Sequence, residues 1–242
     1  MAEARAPRLA VLIDADNASA RIATGLFEEI AKIGEASVRR IYGDFSGQQL
    51  SGWAKVCAPH AIMQVHTVAS VPGKNASDIA LVIEAMDLLH TGRFDGFCLV
   101  SSDSDFTRLA ARIREQGIDV YGFGEQKTPE SFRQACRRFI YTENLRPAAV
   151  EKAAGAKQPA AAAPPKQPVS EAVRLLRTAL AQLEDADEWV SLGVLGKRVL
   201  ELASDFDPRT YGHAKLVDLV TRSGSFEVRR SEGGGVYVRD KA

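Results

Sequence analysis

The sequence predicts an α/β domain built on a mainly parallel sheet in three layers, followed by a small helical domain closed by a β-hairpin. Three observations carry this. Short apolar runs alternate with amphipathic stretches of helical spacing through residue 124, the pattern of helices laid on both faces of a parallel sheet. Residues 147–168, PAAVEKAAGAKQPAAAAPPKQP, then interrupt the pattern with Ala, Pro and Lys and no aromatic residue. Beyond that break, three helical stretches precede two short alternating ones, and no internal repeat relates the two parts.

Leu9 to Ile13 is a continuous apolar run, as in a strand buried on both faces. Residues 19–33 place Ile22, Leu26, Phe27, Ile30 and Ile33 at helical spacing. Val38 to Tyr42 reads as a second strand, 48–57 as a helix and Ile62 to Val65 as a third strand. Residues 77–90, SDIALVIEAMDLLH, are strongly helical, with Ser77 as the expected N-cap and Ile79, Val82, Ile83, Met86 and Leu89 as the expected apolar face. Gly96 to Val100 is a buried strand. A helix over 105–116 follows, closed by Gly117, and Val120 to Phe123 is a further strand.

In the second part, residues 170–183 form a helix with Ala172, Val173, Leu176, Ala179, Leu180 and Leu183 on one side. A second helix spans 191–202, opened by Ser191, and a third spans 212–223, closed by Gly224. Phe226 to Arg230 and Val236 to Arg239 alternate as strands around Gly233-Gly234-Gly235. Three helices followed by a hairpin is the layout of a winged helix, akin to the helix-turn-helix class. The expected organisation is a domain over 1–146, a linker over 147–168 that is semi-rigid at its Pro-rich end, and a domain over 169–242.

With 45% hydrophobic and 26% charged residues, the composition is that of a soluble globular protein. A formal net charge of zero speaks against tight non-specific binding to nucleic acid without excluding it, because acidic metal sites offset basic faces in the sum. The three cysteines are odd in number and lack C-x-x-C spacing, which argues against a disulfide framework and a zinc ribbon. The stretch MAEARAPRLA has no apolar signal-peptide core, and no run is long enough to span a membrane. A soluble, cytoplasmic protein without membrane contact is expected.

The chemistry lies where the acids fall. The first strand runs into Asp14-Ala15-Asp16-Asn17, and the strand ending at Val100 runs into Ser101-Ser102-Asp103-Ser104-Asp105. Ligands of open α/β sheets bind at the carboxyl ends of strands, so two separate strands deliver carboxylates to one edge. A third source, Asp78, follows the loop Gly73-Lys74-Asn75-Ala76-Ser77 in the first turn of a helix. Clustered carboxylates repel one another, and a divalent cation relieves that repulsion. A set without His or Cys suits Mg²⁺ or Mn²⁺ rather than zinc. Such a cation activates water and offsets the charge growing on a scissile phosphate. Lys74 and Asn75 are candidates for phosphate contact, and Ser101 and Ser102 for orienting water or substrate.

Plainer readings stand beside these. Asp16, Asn17 and Asp105 each have the placement of a helix cap, and Asp78 that of a residue complementing a helix dipole. One cap needs one acid, however, and two D-x-D pairs at two strand ends exceed that need. Asp87 points away from Asp78 on the same helix and reads as a solvated residue. His60, His66, His90 and His213 show no ligand spacing, and no Ser-His or Cys-His nucleophile is supported.

At these residues the sequence resembles the NYN-domain family, a branch of the PIN-like nucleases, over about residues 8–145. The matching motifs are VLIDADN at 11–17, GKNASDIALVIEAMDLL at 73–89 and LVSSDSDFTRLAARIREQGIDVYGFG at 99–124. The resemblance implies a PIN-like fold and Mg²⁺- or Mn²⁺-dependent cleavage of RNA. It puts Asp14, Asp78, Asp103 and Asp105 at the family's acidic positions and Asn17 at its polar partner. Residues 170–240, with Tyr211-Gly212-His213-Ala214-Lys215-Leu216 and the wing from Gly233 to Tyr237, resemble the LOTUS or OST-HTH domain. That resemblance implies RNA binding or docking of a protein partner or second copy. Lys215, Arg222, Arg229, Arg230 and Arg239 are the candidate phosphate contacts there, weighed against a solvated surface because the domain has no basic surplus.

The expected function is a metal-dependent ribonuclease that uses activated water, with the winged helix raising the effective concentration on RNA through the linker. The alternatives are an inactive RNA-binding adaptor on a nuclease fold and a Mg²⁺-dependent phosphatase. The phosphatase reading uses Asp14-Ala15-Asp16 as an aspartyl-phosphate D-x-D.

Overall fold

The apolar run near the N-terminus becomes an inner strand of a six-stranded parallel sheet. In the computed structural model the described residues are 5–67, 75–145, 166–183, 189–231 and 233–241. The chain divides into two units, Met1–Ala160 and Ala161–Ala242. The expected linker at 147–168 falls, apart from 166–168, outside the described residues.

The strands of the first unit are β1 (Arg8–Asp14), β2 (Glu35–Gly43), β3 (Met63–His66), β4 (Gly96–Val100), β5 (Asp119–Gly124) and β6 (Arg138–Tyr141). Their order is β3-β2-β1-β4-β5-β6, with every neighbouring pair parallel. The chain winds one way from β1 to β3 and the other way from β4 to β6. The order therefore reverses between β1 and β4, where a crevice opens at the carboxyl ends of the strands. Side chains along β1 point alternately to the two faces. Leu9, Val11 and Ile13 pack with Ile22, Leu26, Ile30 and Trp53. Ala10 and Leu12 pack with Leu81, Ala85, Leu109 and Ile113 on the opposite face. A strand covered twice has no polar face to display, which is why it reads as an unbroken apolar run.

The helices are α1 (Ala23–Ala31), α2 (Ser51–Cys57), α3 (Ala76–His90), α4 (Thr107–Glu115) and α5 (Glu130–Ala135). Single 3₁₀ turns precede α1 and α4, at Ala20–Ile22 and Ser104–Phe106. They occupy the starts of the helices expected over 19–33 and 105–116. Helix α2 is shorter than expected. The segment with α5, β6 and the 3₁₀ turn Thr142–Leu145 is not among the elements the sequence predicts.

The larger correction concerns α3. Of the expected face, Val82, Met86 and Leu89 are half-buried against the core, but Ile79 and Ile83 are 60% and 58% exposed, while Leu81 and Ala85 are buried. Residues 79–83 and 85–86 are all apolar, so periodicity alone cannot choose the buried side. Glu84 decides it. Its carboxylate pairs with the Arg40 guanidinium and accepts from the Tyr42 hydroxyl, both on β2. Leu81, Glu84, Ala85 and Leu88 share one stripe at i, i+3, i+4 and i+7, and that stripe turns inward. Ser77 is also not the cap: Asn75 holds the N-cap position and makes no side-chain capping bond.

The second unit contains α6 (Val169–Ala181), β7 (Val190–Ser191), α7 (Leu192–Leu202), a 3₁₀ turn at Pro208–Tyr211, α8 (Leu216–Ser223), β8 (Phe226–Arg230) and β9 (Val236–Asp240). The expected helix over 212–223 is split. Gly212 closes the 3₁₀ turn at φ 86, a left-handed conformation that glycine adopts without strain, and α8 starts four residues later. Ser191 stands at the N-cap of α7 without a side-chain bond. Strands β7, β9 and β8 form an antiparallel sheet in that order. Its inner face, Val190, Phe226 and Val238, packs with Leu176, Leu195, Val199 and Leu219. All three cysteines are buried and free. Among the described residues, no helix is long and apolar enough to cross a membrane.

Candidate functional site

Strand β1 carries Asp14 to the switch point and leaves its carboxylate 1% exposed. Isolating a carboxylate from water is costly unless its oxygens are bonded, and here they are. Oδ1 accepts from the backbone N–H of Asp16 at 3.1 Å and of Asn17 at 3.2 Å. Oδ2 accepts from the Asn17 side-chain amide at 2.8 Å and the Ser101 hydroxyl at 2.7 Å. Four bonds fill about the four lone-pair sites of a carboxylate. Burial nevertheless raises the Asp14 pKa above its ordinary value, opposed by the Ser101 and Asn17 bonds.

Ser101 joins the two strand ends. Its Oγ donates to Asp14 and accepts from the Asp103 N–H at 3.0 Å. The Asp103 carboxylate in turn accepts from the Asp105 N–H at 2.9 Å and caps the 3₁₀ turn. The cap of this turn is thus Asp103 and not Asp105, which has a cap's placement in the sequence. Ser102 accepts from the Glu125 N–H at 2.9 Å and fastens the β4 loop to the end of β5. Close approach there needs glycine at 124, since a Cβ would lie 2.6 Å from the Ser101 carbonyl oxygen.

Helix α3 brings Asp78 to the same edge. Ser77 Oγ donates to the Asp16 carboxylate at 3.2 Å, tying the helix start to the β1 loop. The Asp78 pKa is raised to about 6, first by burial and then by the negative charges of Asp14, Asp103, Asp16 and Asp105. The other three expected acids therefore act on Asp78 together with Asp16, the second acid of the first D-x-D pair. Among the described residues no three His, Cys, Asp or Glu side chains converge as ligands on one point. Asn17 and Asn75 are exposed beside the cluster, and Lys74 lies outside the described residues. An open groove of about 240 Å³ runs from Asp78, Asp105 and Asn75 along the exposed Ile79 and Ile83.

Residues 8–144 match the family model for the NYN domain. The chain belongs to the NYN-domain family. Residues 163–238 match the OST-HTH/LOTUS domain, so the NYN unit is followed by an OST-HTH/LOTUS unit. The fold of the NYN unit is the PIN-like α/β architecture. No curated protein matches the chain. Among solved structures it is similar to a protein of unknown function from Vibrio parahaemolyticus, at 17% identity over 58% of this chain and 96% of that one, with a TM-score of 0.48. It is also similar to an uncharacterized protein from Nitrosomonas europaea, at 33% identity over 37% of this chain and 90% of that one, with a TM-score of 0.27.

In the OST-HTH/LOTUS unit the expected cations do not form one patch. Lys215 is the exposed N-cap residue of α8, and Arg222 lies in its last turn. Arg229 and Arg239 instead meet over Trp189, with guanidinium carbons 4.9 and 5.2 Å from the ring centroid. Arg239 is also paired with Glu227 at 2.6 Å. Arg230 follows Arg229 in β8 and so projects from the other face of the hairpin. Sequence patterning does not flag Trp189, because β7 is two residues long and too short to show alternation.

Proposed function

We propose that the chain is a cytoplasmic, metal-dependent ribonuclease. Residues 1–146 would hydrolyse RNA phosphodiester bonds at the acid cluster, and 169–242, tethered through 147–168, would hold RNA. The observation that carries this reading is the meeting of carboxylates from three elements, the ends of β1 and β4 and the start of α3, at the switch point of an NYN unit.

By residue type the cluster fits a hard cation, since every donor is a carboxylate and neither His nor Cys takes part. The unrelieved repulsion on Asp78 also fits one. Asp14, Asp78, Asp103 and Asp105 would hold Mg²⁺ or Mn²⁺, which when bound supplies an activated water and positive charge beside the scissile phosphate.

The chain's own residues have distinct tasks. Asp14 is the buried pivot, and Ser101 holds it in register with Asp103. Asn17 is exposed, so its side-chain amide is the contact that Asp14 can release to a cation. Asp105 and Asn75 line the groove on the solvent side, where a phosphate and its sugar would approach.

The test is cleavage of end-labelled single-stranded RNA with Mn²⁺ or Mg²⁺ by the wild type, Asp14→Asn and Asp103→Asn. Metal-dependent cleavage that both variants lose is the expected result. RNA that is bound and left intact by the wild type at high concentration would overturn the nuclease reading in favour of an adaptor.

A further inference from the structure

The small sheet of the second unit is packed on one face only. Val190 pairs with Val238 and Glu227 with Arg239, so alternation sets Trp189, Glu227, Arg229, Tyr237 and Arg239 together on the other face. Trp189 takes no part in the core cluster of the unit. A large indole held on the solvent side of a sheet is instead kept in place by cations: the Arg229 and Arg239 guanidinium groups lie 4.9 and 5.2 Å from its centroid. The Glu227 carboxylate accepts from Arg239, from its Nε at 3.2 Å and a terminal nitrogen at 2.6 Å. Arg229 is the exposed member of the pair.

An aromatic plane flanked by guanidinium groups matches the two parts of an unpaired nucleotide. The ring offers a stacking surface to any base, and the cations offer charge to the flanking phosphates. A duplex keeps its base faces stacked inside and presents mainly backbone, so the complement of this surface is a single strand. Tyr237 stands next to Arg239's position on the same face of β9 and adds a second ring along the path.

We propose that the Trp189–Arg229–Arg239 face of the small sheet binds single-stranded RNA, stacking one unpaired base on the Trp189 indole while the guanidinium groups meet the adjoining phosphates. This rests on the reading that the second unit holds RNA, and it places the contact on the sheet rather than on α8.

Trp189 is also the natural reporter, because the chain has two tryptophans and the other, Trp53, is 2% exposed with its indole N–H donating to the Ala18 carbonyl. The experiment titrates the full chain, in excess chelator so that no strand is cut, with single-stranded oligoadenylate RNA, a duplex RNA of equal length, and inorganic polyphosphate. The single strand is expected to quench wild-type tryptophan emission saturably. Trp189→Ala should weaken its binding about 5- to 150-fold, the equivalent of one base–aromatic stack. Trp189→Phe should recover part of the affinity without the quenching. Arg229→Ala should weaken binding and flatten its salt dependence. Single-strand binding that ignores Trp189, or duplex or polyphosphate binding as tight as that of the single strand, overturns this proposal alone. Binding of no RNA at all overturns the RNA reading of the second unit together with it. Circular dichroism spectra of the variants that superimpose on the wild type keep loss of fold apart from loss of contact.

Discussion

The two units present chemistry in opposite ways. In the NYN unit the sheet is parallel and covered on both faces, so polar groups gather at its strand ends, and the groups found there are acids that range from buried Asp14 to exposed Asp105, with Asp14 and Asp103 linked through Ser101. In the OST-HTH/LOTUS unit the sheet is antiparallel and covered on one face, so the other face is itself the surface, and the groups found there are cations and an aromatic ring. The difference follows from connectivity. Parallel strands need crossovers that wrap both faces in helices, whereas a hairpin closes with a short turn and can leave one face wet. Accessible polar groups therefore gather at the edge of the first sheet and across the face of the second.

The largest effect should come from removing one side of this contrast. Asp14→Asn should lower metal-dependent RNA cleavage on the order of 10³-fold, as losses of central electrostatic groups do, while RNA affinity measured in chelator stays at the wild-type value. Loss of both together would mean that the two surfaces are not independent. Ser101→Ala tests the link between the strand ends. It removes one donor to Asp14 and the acceptor for the Asp103 N–H, and cleavage should fall about 10- to 100-fold, as when second-layer support for ligands is lost.

A smaller effect is expected from pH. A carboxylate whose folded pKa is raised holds its proton more tightly folded than unfolded, so its contribution to stability is present at low pH and is lost as pH rises toward the folded pKa. For Asp78 that window runs from the ordinary 3.8 to about 6, and Asp14 shifts in the same direction. The metal-free chain should therefore gain more in Tm from added Mn²⁺ at about pH 7 than at about pH 5, since ionised ligands bind the cation better. Asp78→Asn should narrow that difference, and thermal melts at both pH values with and without Mn²⁺ check it. The smallest effect concerns α3. Ile83→Ala should alter stability in urea by no more than about 0.5 kcal/mol, the usual range for surface positions, because Ile83 faces solvent. A loss of about 2 kcal/mol or more would mean that the helix buries the side its periodicity first suggests.

Much of this is legible in the sequence. The continuous run Leu9 to Ile13 and the run Gly96 to Val100 are neighbouring buried strands. The acids placed directly after them come to one edge because the sheet is parallel. The three helices and hairpin of the second unit are likewise readable from apolar spacing. These features are local, set by residues within a few positions of one another, and local periodicity is what a sequence displays.

Other features depend on partners distant in sequence. The rotation of α3 is chosen by Glu84 finding Arg40 and Tyr42 on β2, across a gap of more than 40 positions. The bond from Ser101 to Asp14 spans 87 positions, so a serine that reads as loop geometry is the joint of the site. Asp16 joins the cluster because α3 docks beside the β1 loop through Ser77. Trp189 gains its two guanidinium neighbours only when a two-residue strand pairs with β9. Local patterning specifies most of the elements that form and which chemical groups stand at their ends, α5, β6 and the two-residue β7 excepted. Which of those groups meet is settled in three dimensions, because contact between distant residues depends on how whole elements pack, and no short window of sequence contains that information.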